Sequence, residues 1–204
     1  MLRIENLCKR YGDHVAFQGL SRTFPPGCYA LCEEENTGKS SLLAIIGGAL
    51  RPDGGDVRVD GHSLVNDRDQ VMARVSYVPD DCLLYPSMTG RQLLEHKARE
   101  KDVPLSADVL DLAYELGLKE HLDKRFEQMS TGTRRKVFLA AAALGDPAVI
   151  VADGPSNGLD AAARAVLAQK FEEWGRNRVV LFASHEAELV KACGASSIQL
   201  ANCA

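Results

Sequence analysis

A lysine and two hydroxyl side chains lie together in the stretch "TGKSS", residues 37–41. An apolar segment, "GCYALC" (27–32), precedes it, and leucine and isoleucine recur at helical spacing after it, so it is predicted to join a strand to a helix. Backbone N–H groups and the dipole at a helix N-terminus bind phosphate oxygens. Lys39 would then contact the outer phosphates of a nucleotide and Ser40 would bind Mg²⁺. A plain helix N-terminus explains these five residues equally well.

Asp153 ends the apolar segment "AVIVAD" (148–153) and is a candidate second ligand of the same Mg²⁺. A lone aspartate after an apolar strand more often forms a turn or caps a helix. Because parallel strands end at one edge of a sheet, the combination of Asp153 with Lys39 and Ser40 favours a nucleotide site.

Strands and helices that could position these residues alternate along most of the chain. Strands are predicted at 2–8, 15–24, 27–32, 57–59, 75–79, 148–153 and 178–184, and helices at 40–50, 161–174 and from the N-cap Ser130 to 144, with a final helix and strand after them. Apolar strands alternating with helices predict an α/β fold with a mostly parallel sheet covered on both faces. From about Thr89 to Phe126 the sequence is polar, helical and strand-free, which predicts an inserted helical subdomain.

The composition describes an ordinary globular chain of 204 residues, 46% of them hydrophobic. Its 24 basic and 28 acidic side chains give a net charge of −4, so no nucleic-acid partner is expected. The cysteines form no C-x-x-C pair and indicate reduced thiols in a cytosolic protein rather than disulfides or zinc ligands. No apolar run approaches the roughly 20 residues of a membrane-spanning helix. The cysteines are Cys8, Cys28, Cys32, Cys82, Cys193 and Cys203.

The stretch "MSTGTRRKV" (129–137) completes a series of motifs, and with it the chain resembles the ATP-binding subunit of an ABC transporter over essentially its whole length. Tyr11 resembles the aromatic residue that stacks on adenine, "TGKSS" the phosphate loop, and "VSYVPDDCLLYPSMTGRQLL" the segment joining core and helical subdomain. "MSTGT" resembles the signature loop, "VIVADGPSNGLD" the magnesium strand with the loop at the dimer interface, and "FASHEAE" the segment of the switch histidine, His185. Six motifs in this order and spacing are highly specific.

The resemblance implies a single domain over residues 1–204. Its P-loop NTPase core, about 1–84 and 145–204, would combine a mostly parallel sheet with an antiparallel β edge layer, and the helical subdomain with the signature loop would span about 85–144. ATP and Mg²⁺ are the implied cofactors. Two such domains would face head to tail, so that the signature loop of each completes the nucleotide site of the other. The implied residues are Tyr11, Asn36, Thr37, Gly38, Lys39, Ser40 and Ser41 for the nucleotide; Ser40, Asp80 and Asp153 for Mg²⁺; Ser130, Thr131 and Gly132 for the signature in trans; Asp160 for the dimer loop; and His185 as the switch.

Four positions of the chain's own site depart from the family pattern. Glu33 and Asn36 replace glycines of the phosphate loop, and a carboxylate about 6 Å from a phosphate charge costs on the order of 3 kcal/mol at an effective dielectric constant near 20. Asn36 is milder, because asparagine tolerates left-handed backbone. Asp80 replaces the glutamine that senses the γ-phosphate, and Gly154 replaces the glutamate that polarises the attacking water. Loss of a general base typically lowers the rate 10²- to 10⁴-fold.

The parts used in trans are largely kept, which predicts a subunit that hydrolyses ATP poorly itself but completes the site of a second, intact ATP-binding subunit. A membrane subunit would hold the pair at the cytoplasmic face. A non-hydrolysing regulatory or scaffold protein of this fold, or a slow homodimeric ATPase, are the alternatives. In an assembled transporter we expect Gly132→Asp to abolish ATP hydrolysis and Lys39→Ala to leave much of it. We also expect Glu33→Gly to tighten nucleotide binding.

Overall fold

A computed structural model describes residues 1–32, 37–82 and 85–200. Its strands are β1 (Leu2–Tyr11), β2 (His14–Phe24), β3 (Gly27–Leu31), β4 (Gly54–Val59), β5 (His62–Ser63), β6 (Val75–Val78), β7 (Val149–Asp153), β8 (Val179–Ala183) and β9 (Ser196–Ile198). Its α-helices are α1 (Lys39–Ile46), α2 (Arg68–Arg74), α3 (Gly90–Glu100), α4 (Ala107–Glu115), α5 (Thr131–Ala141), α6 (Ala161–Gly175) and α7 (Ala187–Ala192).

The strands form two sheets, as the α/β prediction requires. A parallel sheet has the order β6-β7-β8-β3-β9, and an antiparallel sheet has the order β2-β1-β4-β5. The predicted parallel core and antiparallel edge layer are therefore confirmed. Among the described residues, no helix combines the length and the apolar character needed to cross a membrane.

Both faces of the parallel sheet are apolar, which explains why β7 and β8 read as continuous hydrophobic runs. In β7, Val149 and Val151 belong to one buried cluster and Ile150 to the other. The first cluster also contains the apolar side of α1 and of β1, and the second contains side chains of α3 to α6. Side chains alternate across a strand, so a strand buried on both faces shows no polar positions.

The antiparallel sheet carries a β-bulge that alternation alone does not reveal. The pairing of β1 shifts register between Ile4 and Leu7, and Asn6 adopts a positive φ of 47°. Opposite it, Gly55 has φ 81°, and a Cβ on this glycine would lie within 2.4 Å of the Asn6 carbonyl oxygen. The bulge keeps Leu7 in the core although its distance from Ile4 is odd.

The helical segment between β6 and β7 begins with a capping box. The Thr89 side chain accepts a hydrogen bond from the backbone N–H of Gln92, whose side chain accepts one from the Thr89 N–H. Ser130 is the N-cap of α5, as predicted, and α5 packs against α3, α4 and β6. Its apolar side chains continue the cluster on the sheet face, so helices and sheet share one core here. The boundaries 85–144 of a separate helical subdomain stay a prediction.

Several elements differ from the sequence-based expectations at their ends. The helix predicted to reach residue 50 ends at Ile46, since Gly47 and Gly48 follow and Gly48 has φ 69°. The helix predicted to reach residue 144 ends at Ala141. The short elements α2 and β5 were not predicted, because neither is long enough to show a period.

Candidate functional site

A cleft of about 690 Å³ opens at the carboxyl ends of β7 and β8, beside the start of α1. It brings together most of the residues that the sequence predicts to bind nucleotide and metal. Of the predicted residues, Asn36 lies outside the described part of the chain, as does Glu33. The predicted residues that line the cleft are Tyr11, Thr37, Gly38, Lys39, Ser40, Ser41, Asp80, Asp153 and His185.

The helix α1 begins after a glycine in the left-handed backbone conformation. Gly38, its N-cap, has φ 87°, and a Cβ there would lie 3.1 Å from the Phe17 ring. Lys39 follows and is only 8% exposed, with Nζ donating to the Thr37 hydroxyl at 3.3 Å. A buried ammonium group next to the first backbone N–H groups of a helix is well suited to bind phosphate oxygens.

Asp153 and Ser40 form the oxygen-ligand pair of the cleft. Asp153 ends β7, and its carboxyl group makes a hydrogen bond with the Ser40 side chain. Burial raises the pKa of Asp153, and the Ser40 hydrogen bond opposes that rise. A hydroxyl and a carboxylate are ligands that Mg²⁺ prefers, and two protein ligands are typical where substrate phosphates complete the shell.

Tyr11 lies at the tip of the β1–β2 hairpin and reaches the same cleft. Its hydroxyl lies 2.9 Å from the Ser41 Oγ, which ties the hairpin tip to the first turn of α1. The Lys9 Nζ lies 5.4 Å from the ring centroid, and Tyr11 is 48% exposed. His14, which was not predicted as a site residue, lines the cleft as well.

Asp80 lies in the cleft, but one of its oxygens has partners within the chain. The Oδ1 atom accepts a hydrogen bond from Arg135 at 2.7 Å and another from the Asn157 amide at 3.2 Å. Arg135, which is 1% exposed, also donates to the Asn157 backbone oxygen at 2.6 Å. Neither Arg135 nor Asn157 was predicted as a site residue, because Arg135 lies in the polar stretch "TGTRRK" (131–136) and a basic residue normally faces solvent.

The residue after Asp153 has little room for a side chain. Gly154 has φ 53°, and a Cβ built on it would lie 2.3 Å from the Asn157 Nδ2. Gly154 lines the cleft next to Asp153.

The predicted signature residues lie outside this cleft, at the start of α5. The Ser130 Oγ accepts a hydrogen bond from the Thr133 N–H at 3.1 Å. Thr131 is exposed, whereas Gly132 is buried against the loop that follows β7. A Cβ on Gly132 would lie 2.0 Å from the Gly158 carbonyl oxygen, so the two backbones touch within one chain.

Asp160 closes the same loop. It is the N-cap of α6, accepting from the Ala163 N–H at 2.9 Å, and it pairs with Lys136 at 2.6 Å. The loop containing Gly158 and Asp160 is thereby fixed to the first turns of both α5 and α6.

A family model described as "ABC transporter" matches residues 17–157 of this sequence. The chain belongs to the ABC transporter family. Among curated proteins, it is 32% identical to mouse "ATP-binding cassette sub-family A member 7", over 92% of this chain and 9% of that protein. It is also 32% identical to Arabidopsis thaliana "ABC transporter A family member 7", over 85% of this chain and 19% of that protein. The chain thus spans about a tenth to a fifth of the length of these relatives.

Solved structures of ABC ATP-binding proteins share the fold. One described as the ATP-binding subunit of an ABC transporter superposes with a TM-score of 0.86 at 22% identity, covering 98% of this chain and 85% of that one. Another is a dimeric ATP-binding cassette in a post-hydrolysis state, bound to ADP and Pi. It superposes with a TM-score of 0.81 at 21% identity, covering 94% of this chain and 91% of that one. The predicted P-loop NTPase core is confirmed as the ABC ATPase fold.

ATP-binding domains of this family bind ATP together with Mg²⁺. In this ABC domain, Lys39 and the start of α1 fit the phosphates, and Ser40 with Asp153 fit Mg²⁺. When bound, the ion would neutralise phosphate charge, while the buried Lys39 would hold the outer phosphates in place. Asp80 and Gly154 fit the hydrolytic part of the site less well, since Asp80 is partly bound by Arg135 and Gly154 has no side chain.

Proposed function

We propose that this chain is the ATP-binding subunit of an ABC transporter, that its own nucleotide site is deficient in hydrolysis, and that its signature loop completes the site of a second, intact subunit. The observation that carries this proposal is the state of the carboxylates around the cleft. A general base needs an acceptor free to take a proton from water. Gly154, next to the metal-binding Asp153, offers none.

The carboxylates that line the cleft in the described part of the chain have other partners. Asp80 accepts hydrogen bonds from Arg135 and Asn157, and Asp153 is held by Ser40. Glu186 makes an ion pair with Arg164 at 3.3 Å. Each of the three carboxylates thus already has a partner, which makes it a poorer proton acceptor than a glutamate at residue 154 would be.

The parts that would act in trans are well formed, which supports a role in a partner's site. The Ser130 hydroxyl caps α5, and the first N–H groups of a helix suit a γ-phosphate. The loop with Gly158 and Asp160 packs on this turn, so both interface motifs form one surface.

A membrane subunit is the second proposed partner and would hold the chain at the cytoplasmic face. The sequence of residues 81–94 resembles the family's contact segment, and Tyr85 within it lines a groove of about 520 Å³. The groove has the apolar residues Met72 and Phe138 in its lining, with Lys97 at its side, which suits a short amphipathic helix.

The test is ATP hydrolysis by the purified chain, with Lys39→Ala as its matched control. We expect both to release phosphate at the background rate. Turnover at ordinary ABC rates that disappears in Lys39→Ala would refute the deficient site and favour the slow homodimeric ATPase. The trans role is tested separately in a transporter assembled with an intact ATP-binding subunit.

A further inference from the structure

The space beside Gly154 is filled by a side chain from the same chain. A Cβ at this position would lie 2.3 Å from Nδ2 and 3.1 Å from Cγ of Asn157, and 3.1 Å from the Asp80 Oδ1. Carbon atoms do not approach nitrogen to 2.3 Å without displacing it. A side chain at residue 154 can therefore be built only if the Asn157 amide moves.

Two contacts hold that amide in place. Its Nδ2 donates to the Asp80 Oδ1 at 3.2 Å, and the backbone oxygen of Asn157 accepts from Arg135 at 2.6 Å. Arg135 also binds the Asp80 Oδ1 at 2.7 Å, so the three residues close a ring of hydrogen bonds.

The buried Arg135 is the fixed part of this ring. It is 1% exposed, whereas the Asp80 side chain keeps 62% of its surface exposed. Separating a buried guanidinium from its partners leaves a charge without compensation, which is strongly destabilising. The hydrogen bonds of Arg135 therefore fix the positions of Asp80 and of the Asn157 backbone. Because the backbone and the Asp80 contact are fixed, the Asn157 side-chain amide lies beside Gly154.

We propose that Arg135, Asp80 and Asn157 form a second block on hydrolysis, in which the Asn157 amide occupies the place of a side chain at residue 154. Gly154 and Asn157 are then a coupled pair: a glutamate at 154 is accepted only after the amide is removed. The link to hydrolysis rests on the proposed function, because it takes residue 154 as the position of the general base. The steric coupling does not.

The coupling is tested on the chain without nucleotide by thermal unfolding of Gly154→Ala, Asn157→Ala and the double variant. Gly194→Ala is the matched control, since Gly194 has φ 59°, close to the 53° of Gly154, and no atom within 4 Å of its Cβ position. We expect the melting temperature of Gly154→Ala to fall at least about 4 °C further than that of Gly194→Ala, as overpacking in a chain of this size predicts. In the Asn157→Ala background, at least half of that excess should disappear, and the rest would come from the Asp80 Oδ1, which lies 3.1 Å from the same Cβ position. If Gly154→Ala does not fold, recovery of folded protein in the double variant is the equivalent readout.

Equal losses for Gly154→Ala and Gly194→Ala would overturn the proposal, because the amide would then move aside freely. A second arm compares ATP hydrolysis of Gly154→Glu with that of Gly154→Glu/Asn157→Ala. We expect the double variant to exceed the single one at least about tenfold, since a positioned base contributes 10²- to 10⁴-fold. Thermal coupling without this gain supports the steric block and counts against residue 154 as the position of the base. Full activity in Gly154→Glu alone would refute the block.

Discussion

The closest backbone approach in the signature region predicts that Gly132→Ala destabilises the isolated chain. Gly132 lies in the first turn of α5, and an added Cβ would meet the Gly158 carbonyl oxygen at 2.0 Å and its carbon at 2.9 Å. Both atoms belong to backbone, so no side-chain rotation relieves the clash. The first turn of α5 would have to move away from the loop after β7.

The size of the effect follows from two opposing terms. Overpacking typically costs about 1–3 kcal/mol, and contact between rigid backbones puts this site at the upper end. Replacing glycine with alanine within a helix stabilises the folded state by about 0.5–1 kcal/mol. The net loss is about 2–2.5 kcal/mol, which corresponds to a melting temperature about 4–10 °C lower for a chain of this length.

Thermal unfolding followed by circular dichroism measures this loss, with Gly54→Ala as the control. The Cβ of an alanine at position 54 would lie 3.8 Å from the Cys8 Cβ, an ordinary contact, and Gly54 is not in the left-handed region. A Gly132→Ala variant that melts together with Gly54→Ala, or above the wild type, would refute the close approach of Gly132 to Gly158.

The same contact changes how the signature loop can be tested in trans. Gly132→Asp is expected to silence an assembled transporter, but the structure shows that it would also disrupt packing within this chain. Ser130 is the better position, because its side chain is exposed and its hydrogen bond with the Thr133 N–H lies within the first turn of α5.

Further predictions concern charge and pH. Ser130→Asp should lower ATP hydrolysis of an assembled transporter about a hundredfold or more through repulsion of the γ-phosphate, whereas Ser130→Asn, an equally good N-cap, should keep most of it. Lys39→Ala in this chain should leave most of the ATP hydrolysis of the assembled transporter. Loss of hydrolysis in Lys39→Ala would instead mean that the hydrolysing nucleotide site is the one in this chain. Nucleotide binding by the isolated chain, followed by calorimetry, should lose its Mg²⁺ dependence as pH falls through the raised pKa of Asp153. Burial lowers the pKa of Lys101 from 10.5 to about 8. Between these values the unfolded chain binds a proton that the folded chain does not, so the unfolding free energy should rise with pH by about 3 kcal/mol. Urea unfolding of Lys101→Met should lack this rise; an equal rise would contradict it.

Features that depend on neighbours along the chain could be predicted from the amino-acid sequence alone. Three such local patterns are found in the structure where they were predicted. They are the helix that begins at Lys39, the N-cap at Ser130 and the apolar strand that ends at Asp153. The order of these motifs was sufficient to predict the family, because ABC domains have them at characteristic spacings. The absence of a side chain at residue 154 is also evident from the sequence.

Contacts between groups that are distant in the sequence became known from the three-dimensional fold. The sequence separates Asp80 from Arg135 by 55 residues, and nothing in either segment shows that they hydrogen-bond. The contact of Gly132 with Gly158 and the place of the Asn157 amide arise in the same way, from the packing of α5 against the loop after β7. Hydrophobic periodicity specifies which face of an element is buried, but backbone approaches and buried polar partners depend on how elements from remote parts of the chain are docked. For this reason the absence of a side chain at residue 154 follows from the sequence alone, whereas the position of the Asn157 amide beside it does not.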